Sequence, residues 1–238
     1  MRQAGQVVAA TIARLVAFVA PGVTTQECDA VAEREIQRRG ALPAFKGYRG
    51  FPATICVSIN EEIVHGIPGP RVVRAGDVVS LDVGAIANGF YADAAVTVKV
   101  GESTQKAADL IEVTREALER GIKAAQPGAR IGDISAAVER FVEARGYSVV
   151  REYVGHGIGR ALHEEPQVPN YGAPGRGLLL RPGMVIAIEP MVNVGDWRTR
   201  LLEDQWTVVT ADGSLSAHFE DTVAITENGP EVLTRLKG

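Results

Sequence analysis

The stretch LDVGAIANGFYAD, residues 81–93, sets two acids, Asp82 and Asp93, inside sequence that otherwise reads as β-strand. VVSLDV leads into it and AAVTVKV leaves it, both rich in β-branched residues. Ala87-Asn88-Gly89 between them is a hairpin-turn signal. A turn centred on Ala87 and Asn88 places Asp82 directly opposite Asp93, with Cβ atoms ~5 Å apart on one face of the sheet. Two bare carboxylates that close repel, so they require a shared proton or a cation. The bland alternative is an exposed sheet face with two incidental acids. Strand alternation puts Ser80, Asp82, Gly84, Asp93, Ala95 and Thr97 on one face and Val79, Leu81, Val83, Ala94, Val96 and Val98 on the other. A small, polar face is thus backed by a core face.

With 238 residues the chain can form one large domain or two small ones and can bury a sizeable core. Its 46% hydrophobic and 23% charged residues are those of an ordinary globular protein. A net charge of −4 argues against a general basic surface for nucleic acid. The two cysteines, Cys28 and Cys56, lie far apart in no ligand-like spacing, which suits a reducing cytosol. Each taken alone reads as a small buried apolar residue. No run is long and apolar enough to span a membrane. Arg14 interrupts the apolar start, where Val8, Ile12, Leu15, Val16 and Val19 recur at helical spacing, so the N-terminus reads as an amphipathic helix rather than a signal peptide. The expected location is the cytoplasm.

A helix over about residues 2–19 should end at Pro21-Gly22, and Thr24 or Thr25 should cap a second that runs to Gly40, with Glu27 completing a capping box. The aromatic, glycine-rich loop ALPAFKGYRGFP then leads to a strand, ATICVSI. Helices over about 103–125 and 132–146 open the second half. Shifted by 106 residues, APGVTTQECDAVAEREIQRRG overlies QPGARIGDISAAVERFVEARG; shifted by 107, RAGDVVSLDV overlies RPGMVIAIEP and pairs Asp82 with Glu189. DAAVTV from Asp93 likewise matches EDTVAI from Glu220. Ordered matches at nearly constant offset indicate a duplication, with one half in residues 1–102 and the other in 103–238 of a single domain. The expected architecture is α+β, an antiparallel sheet with helices on its outer face.

Asp82, Asp93, Glu189 and Glu220 should converge where the halves meet, and two divalent ions would balance their formal charge. His156, between glycines in EYVGHGIG after a strand SVVREYV, has room for close approach and supplies an imidazole. Imidazole with carboxylates suits Mn, Fe, Co or Zn better than Ca or Mg, although a lone loop histidine is more often just polar. Two ions about 3.5 Å apart hold a water, lower its pKa and clamp a carbonyl, so hydrolysis is the expected chemistry. His65 in EIVHGIP and His163 in ALHEEP are placed for electrophilic help or are surface residues.

The motifs SINEEIVHGIP, LDVGAIANGFYAD, GHGIGRALHEEP, AIEPMVNVG and DQWTVVTADGSLSAHFEDTVAIT together resemble the type I methionine aminopeptidases, metallopeptidases of the pita-bread fold, over essentially the whole chain. The resemblance implies removal of the initiator methionine from peptides and nascent chains whose second residue is small. It implies a dinuclear site in which Asp93 and Glu220 bridge two divalent ions, Asp82 chelates one, and His156 with Glu189 holds the other. Glu189 would act as general base and acid, His163 would steady the oxyanion, His65 would hydrogen-bond the scissile amide, and the substrate amine would bind a metal. The methionine pocket would be walled by Phe45, Tyr48, Phe51, Cys56, His65, Leu162 and Trp206, with His163 at its edge, although a lone tryptophan is more often core. Phe45, Phe51, Val64 and Leu162 depart from commoner family choices and make that pocket less polar. Measured against the family, the first methionine falls inside the first-helix region, no zinc-finger extension precedes the domain, and the helical insertion of the type II enzymes is missing. Ribosome association suits such an enzyme but no segment encodes it visibly, and a monomer is the family default. The rivals are a proline-specific peptidase of the same fold, with the same five ligands, and a nonenzymatic binding protein.

Overall fold

A computed structural model of the chain describes residues 1–236. Helix α1 (Arg2–Phe18) buries Val8, Ile12 and Leu15 of the expected stripe, together with Ala4, whereas Val16 faces solvent. Helix α2 (Thr25–Arg38) starts at the expected capping box: the Glu27 N–H donates to Thr24 Oγ1 at 3.2 Å and the Thr24 N–H donates to the Glu27 carboxylate at 2.8 Å. The second pair, α3 (Gln105–Ala124) and α4 (Ile131–Glu143), falls close to the spans read from the sequence.

Among the described residues the main sheet has nine strands, and its neighbouring strands pair antiparallel. Its central pair is Phe90–Lys99 against Glu220–Thr226. Outward from that pair lie Val78–Ala87 on one side and Val185–Ile188 on the other, followed by Ile55–Ile59 and Gly155–Gly157. One face of the first half packs Val79, Leu81, Val83 and Ala94 against α1 and α2 residues such as Val8, Leu15 and Ile36. In the second half, Ile186, Ile188 and Val223 pack against Leu118 and Ile122 of α3 and Ile134 of α4. Helices therefore cover the apolar face of the sheet, and the acid-bearing face is left for the site. The α+β architecture is as expected.

The hairpin register differs from the expectation. Asp82 lies opposite Ala95, and Asp93 lies opposite Gly84, because the turn centres on Asn88 and Gly89, not on Ala87 and Asn88. Both turn residues have positive φ, 52° and 74°. A two-residue turn of this hand requires positive φ at both central positions, which Asn-Gly accepts and Ala resists. The shift is two residues, so both acids keep their common face but become diagonal neighbours, ~7 Å apart instead of ~5 Å. The Ser80–Thr97 pair on that face is hydrogen-bonded at 2.8 Å. The directly opposed acids arise in the other half: continuing the Asp221–Ile188 register by one residue brings Glu189 opposite Glu220.

Of the expected strand SVVREYV only Ser148–Val149 pairs, and His156 itself lies in a strand, Gly155–Gly157. What approaches its flanking glycines is backbone: a Cβ on Gly155 would stand 2.3 Å from the Ala187 carbonyl oxygen, and one on Gly157 2.2 Å from that of Glu165. Those glycines admit neighbouring chain segments around His156 and do not make room for a ligand.

Candidate metal centre

The sheet brings its acids to one floor. Asp93 and Glu220 come from the central strand pair, Asp82 from Val78–Ala87, and Glu189 from the residue after Val185–Ile188. Donor atoms of Asp93, His156 and Glu220 all lie within 4.8 Å of one another, and all three residues are buried. The His156 Nε2 atom is 3.5 Å from Asp93 Oδ2 and 3.5 Å from Glu189 Oε1. The His156 Nδ1 atom sits 2.9 Å from the Gly157 carbonyl oxygen, so its proton is placed there and Nε2 presents a lone pair to the carboxylates. The Thr222 hydroxyl at 3.1 Å from Asp93 Oδ1 anchors that carboxylate further.

Burial is the largest cause holding protons on these acids. It pushes Asp82, Glu189 and Glu220 well above the usual carboxylate range, and mutual repulsion adds to it: Asp93 acts on all three, Asp82 and Glu189 act on Glu220, and Asp82 acts on Glu189. Asp93 is raised by burial too, opposed by His156 and the Thr222 hydroxyl. Asp82 Oδ1 is buried with no hydrogen-bond partner. Such a cluster is costly as it stands and is relieved by a cation. Metal–oxygen and metal–nitrogen bonds of ~2.0–2.2 Å allow one ion to touch donors this close, so the residues fit a divalent metal.

Above the floor is a pocket whose lining includes every predicted site residue: Phe45, Tyr48, Phe51, Cys56, His65, Leu162, His163 and Trp206 as well as Asp82, Asp93, His156, Glu189 and Glu220. Phe51 meets Trp206 edge to face at 5.1 Å, and Cys56, Phe45 and Leu162 share their apolar cluster. Trp206, which read as core when taken alone, is a wall of the pocket and half-buried. Val64 is the exception among the substituted positions, packing with Ile63, Val150, Met191 and Val208 outside the pocket lining.

The His163 ring stands 4.2 Å from that of His156, and its Nδ1 is 2.9 Å from the Tyr48 hydroxyl. Burial chiefly, then His156, Arg49 and His65, lowers His163 to about 4, and burial alone lowers His65 to about 4. Both are neutral near pH 7, when a Tyr48 O–H donated to Nδ1 leaves the His163 Nε2–H free to donate. His65 adopts φ 61°, a left-handed conformation unusual for a side chain and common at functional sites.

Two residues escaped the sequence reading. His218 is buried, its Nε2 lacks a hydrogen-bond partner and lies 3.8 Å from Glu189 Oε2, and burial, then His65, lowers it to about 3. Glu189 is therefore held between two imidazoles. The signal was His218 standing two positions before Glu220 in SAHFED. Arg49 is the other, joining the pocket lining from the loop between Phe45 and Phe51, where nothing in the sequence distinguishes it from a solvent-facing cation.

The model of metallopeptidase family M24 matches residues 1–227. Methionine aminopeptidase 1 of Bacillus subtilis is 53% identical over 236 residues, spanning 99% of this chain and 95% of that relative. The crystal structure of the Thermotoga maritima methionine aminopeptidase superposes with a TM-score of 0.98 at 50% identity, covering 99% of this chain and 95% of that one. A prolidase from Pyrococcus furiosus superposes with a TM-score of 0.81 at 25% identity, covering all of this chain but 63% of its own. The shared architecture is the pita-bread fold. With two buried carboxylates, two half-buried ones and a buried imidazole lining one pocket floor, and a family model that matches residues 1–227, the chain belongs to metallopeptidase family M24.

Proposed function

We propose that the protein is a metal-dependent methionine aminopeptidase that cleaves the first peptide bond of chains beginning with methionine and a small second residue. The observation that carries this reading is the stacking of an aromatic and sulfur-lined pocket directly on a floor of buried metal-type donors. Asp82, Asp93, His156, Glu189 and Glu220 would hold two divalent ions of Co, Mn, Fe or Zn. When bound, such ions supply Lewis-acid polarisation of the scissile carbonyl and a water made nucleophilic near neutral pH.

The protein's own groups do the rest. Glu189 takes the proton of the attacking water and returns it to the departing amine as the C–N bond breaks. The Nε2–H of neutral His163 donates to the oxygen that gains charge at the carbonyl, worth a few kcal/mol by comparison with other oxyanion donors. His65, neutral and set by its backbone at the pocket wall, hydrogen-bonds the scissile amide. Phe45, Tyr48, Phe51, Cys56, Leu162 and Trp206 exclude water around a slim thioether and offer ring and sulfur contacts to it. We further propose that residues 1–102 and 103–238 are duplicated halves of one domain, a reading supported by the matched strand order about the central pair. Nascent chains in the cytoplasm are the proposed substrates, and a monomer the proposed working form.

The test is an activity titration of metal-free protein with Mn, Fe, Co and Zn on Met-Ala-Ser and Ala-Pro-Ala. Cleavage of the first peptide alone, with activity rising to two ions per chain, is expected. Preference for Ala-Pro-Ala would establish the proline-specific alternative, and turnover of neither by metal-replete protein would point to a binding protein.

A further inference from the structure

The charge of the pocket is strongly polarised. Its floor holds four carboxylates, while Arg49 is its single arginine or lysine among the described residues, and it is exposed. Two divalent ions would cancel the formal charge of the floor, which leaves the guanidinium as the unbalanced charge of the site. It is not engaged elsewhere. Lys46, three residues earlier, is taken up by Glu33 at 2.8 Å, but among the described residues no carboxylate lies within ion-pair distance of Arg49. The Arg49 Cζ instead sits 5.3 Å from the Tyr48 ring centroid, and Tyr48 in turn stacks on His163 at 5.3 Å. Arg49 also adopts φ 50°, a left-handed conformation that L-residues seldom hold without a structural or functional reason.

Three contacts of 5.3 Å or less link the guanidinium through Tyr48 and His163 to His156. An extended peptide advances ~3.4 Å per residue, so Arg49 stands no more than about four to five residues from the metal floor. A peptide whose terminal amine enters toward the carboxylates, and whose chain leaves along the Tyr48–His163 side of the pocket, would bring its next residues within reach of Arg49.

We propose that Arg49 is a specificity-determining residue that binds carboxylates on the third or fourth residue of the substrate and so selects for acidic chains beyond the cleaved bond. This inference rests on the aminopeptidase reading. A guanidinium suits the task because its planar fork pairs a carboxylate with two parallel hydrogen bonds and its charge does not titrate. The aromatic face of Tyr48 stabilises it in place by a cation–π contact. At the mouth the interaction is partly screened, so it sets a preference among substrates and not an absolute requirement.

The test compares kcat/KM on C-terminally amidated Met-Ala-Xaa-Ser and Met-Ala-Ser-Xaa, with Xaa as Asp, Ser or Lys, for the metal-loaded protein and its Arg49→Lys, Arg49→Gln and Arg49→Glu forms. The wild-type protein should favour Asp over Lys by about fivefold at low ionic strength, falling toward parity in high salt. Arg49→Lys should keep part of the preference, Arg49→Gln should abolish it, and Arg49→Glu should reverse it. An Asp-to-Lys ratio unchanged in Arg49→Glu would overturn the proposal. The Ser peptides separate the two readings: if the wild-type protein turns none of them over, the aminopeptidase reading fails. The same charge ratio is then read from calorimetric binding of the peptides, where equal affinities for Asp and Lys peptides also overturn the role of Arg49.

Discussion

Replacing Gly84 by Ala should narrow the methionine pocket while leaving every proposed metal ligand in place as a residue. Gly84 faces Asp93 across the hairpin, and its backbone lies outside the left-handed region, so alanine is acceptable to the main chain. The obstacle is steric. A Cβ there would stand 2.4 Å from Phe45 Cε1, 2.9 Å from Ala44 Cβ and 3.0 Å from Phe45 Cδ1. Phe45 is a pocket wall and buried, so its ring must swing or the hairpin must shift. Overpacking of this kind costs about 1–3 kcal/mol, offset by roughly 0.5–1 kcal/mol because glycine weakens a strand interior. A net loss near 1 kcal/mol corresponds to about 2–4 °C in Tm for a chain of this size. Thermal unfolding with and without metal gives the stability term, and peptide kinetics should show KM for Met-Ala-Ser raised several-fold with kcat nearly intact. Phe45→Leu in the same chain should recover much of both losses, because fewer ring atoms then oppose the new methyl, and a double-mutant cycle would register this as coupling. Unchanged Tm and KM in Gly84→Ala, or strictly additive effects with Phe45→Leu, would refute the reasoning.

Two other expectations concern the metal floor. Asp93→Ala should abolish high-affinity metal binding in calorimetry and activity with it, yet leave metal-free Tm unlowered, since it removes a buried acid that repels Asp82, Glu189 and Glu220; a large fall in metal-free stability would contradict the electrostatic account. Divalent-metal affinity should rise with pH, with proton release measurable in buffers of different ionisation enthalpy, because Asp82, Glu189 and Glu220 hold protons above the usual carboxylate range that a metal must displace. For folding the sign follows from the same raised values. The metal-free native state binds more protons than the unfolded chain above the unfolded carboxylate pKa of ~4, so its stability is fully present below that pH and is lost as pH rises through the folded values. The lowered histidines, His65 and His163 at about 4 and His218 at about 3, act in the opposite sense, and their contribution is lost as pH falls below ~6.5. Metal-free Tm that climbs steadily from pH 6 to 9 would contradict the carboxylate assignment.

Much of the protein is written locally. Helix periodicity, the Thr24–Glu27 capping box and the alternation of the hairpin specify which elements form and which face is buried, because these depend on residues a few positions apart. The repeated RxGxV pattern ahead of an acid also tied Asp82 to Glu189, and residue chemistry alone marked carboxylates with an imidazole as metal donors. Even the hairpin register was available from turn chemistry, since Asn88-Gly89 tolerates the two positive φ values that Ala87-Asn88 does not. Other features required the packed chain. His218 becomes a neighbour of Glu189 only where the strands Met191–Asn193 and Ser216–His218 pair, and Gly155 and Gly157 show their purpose only once Ala187 and Glu165 press against them. Arg49 is likewise an ordinary loop cation until the fold sets it at the mouth of an acidic pocket. The sequence by itself determined the helices, the hairpin with the face that carries Asp82 and Asp93, and the chemistry of the donors; tertiary structure decided the short strand that holds His156 and which groups meet across the sheet, because contacts between residues far apart in the chain arise from register and packing that no local pattern encodes.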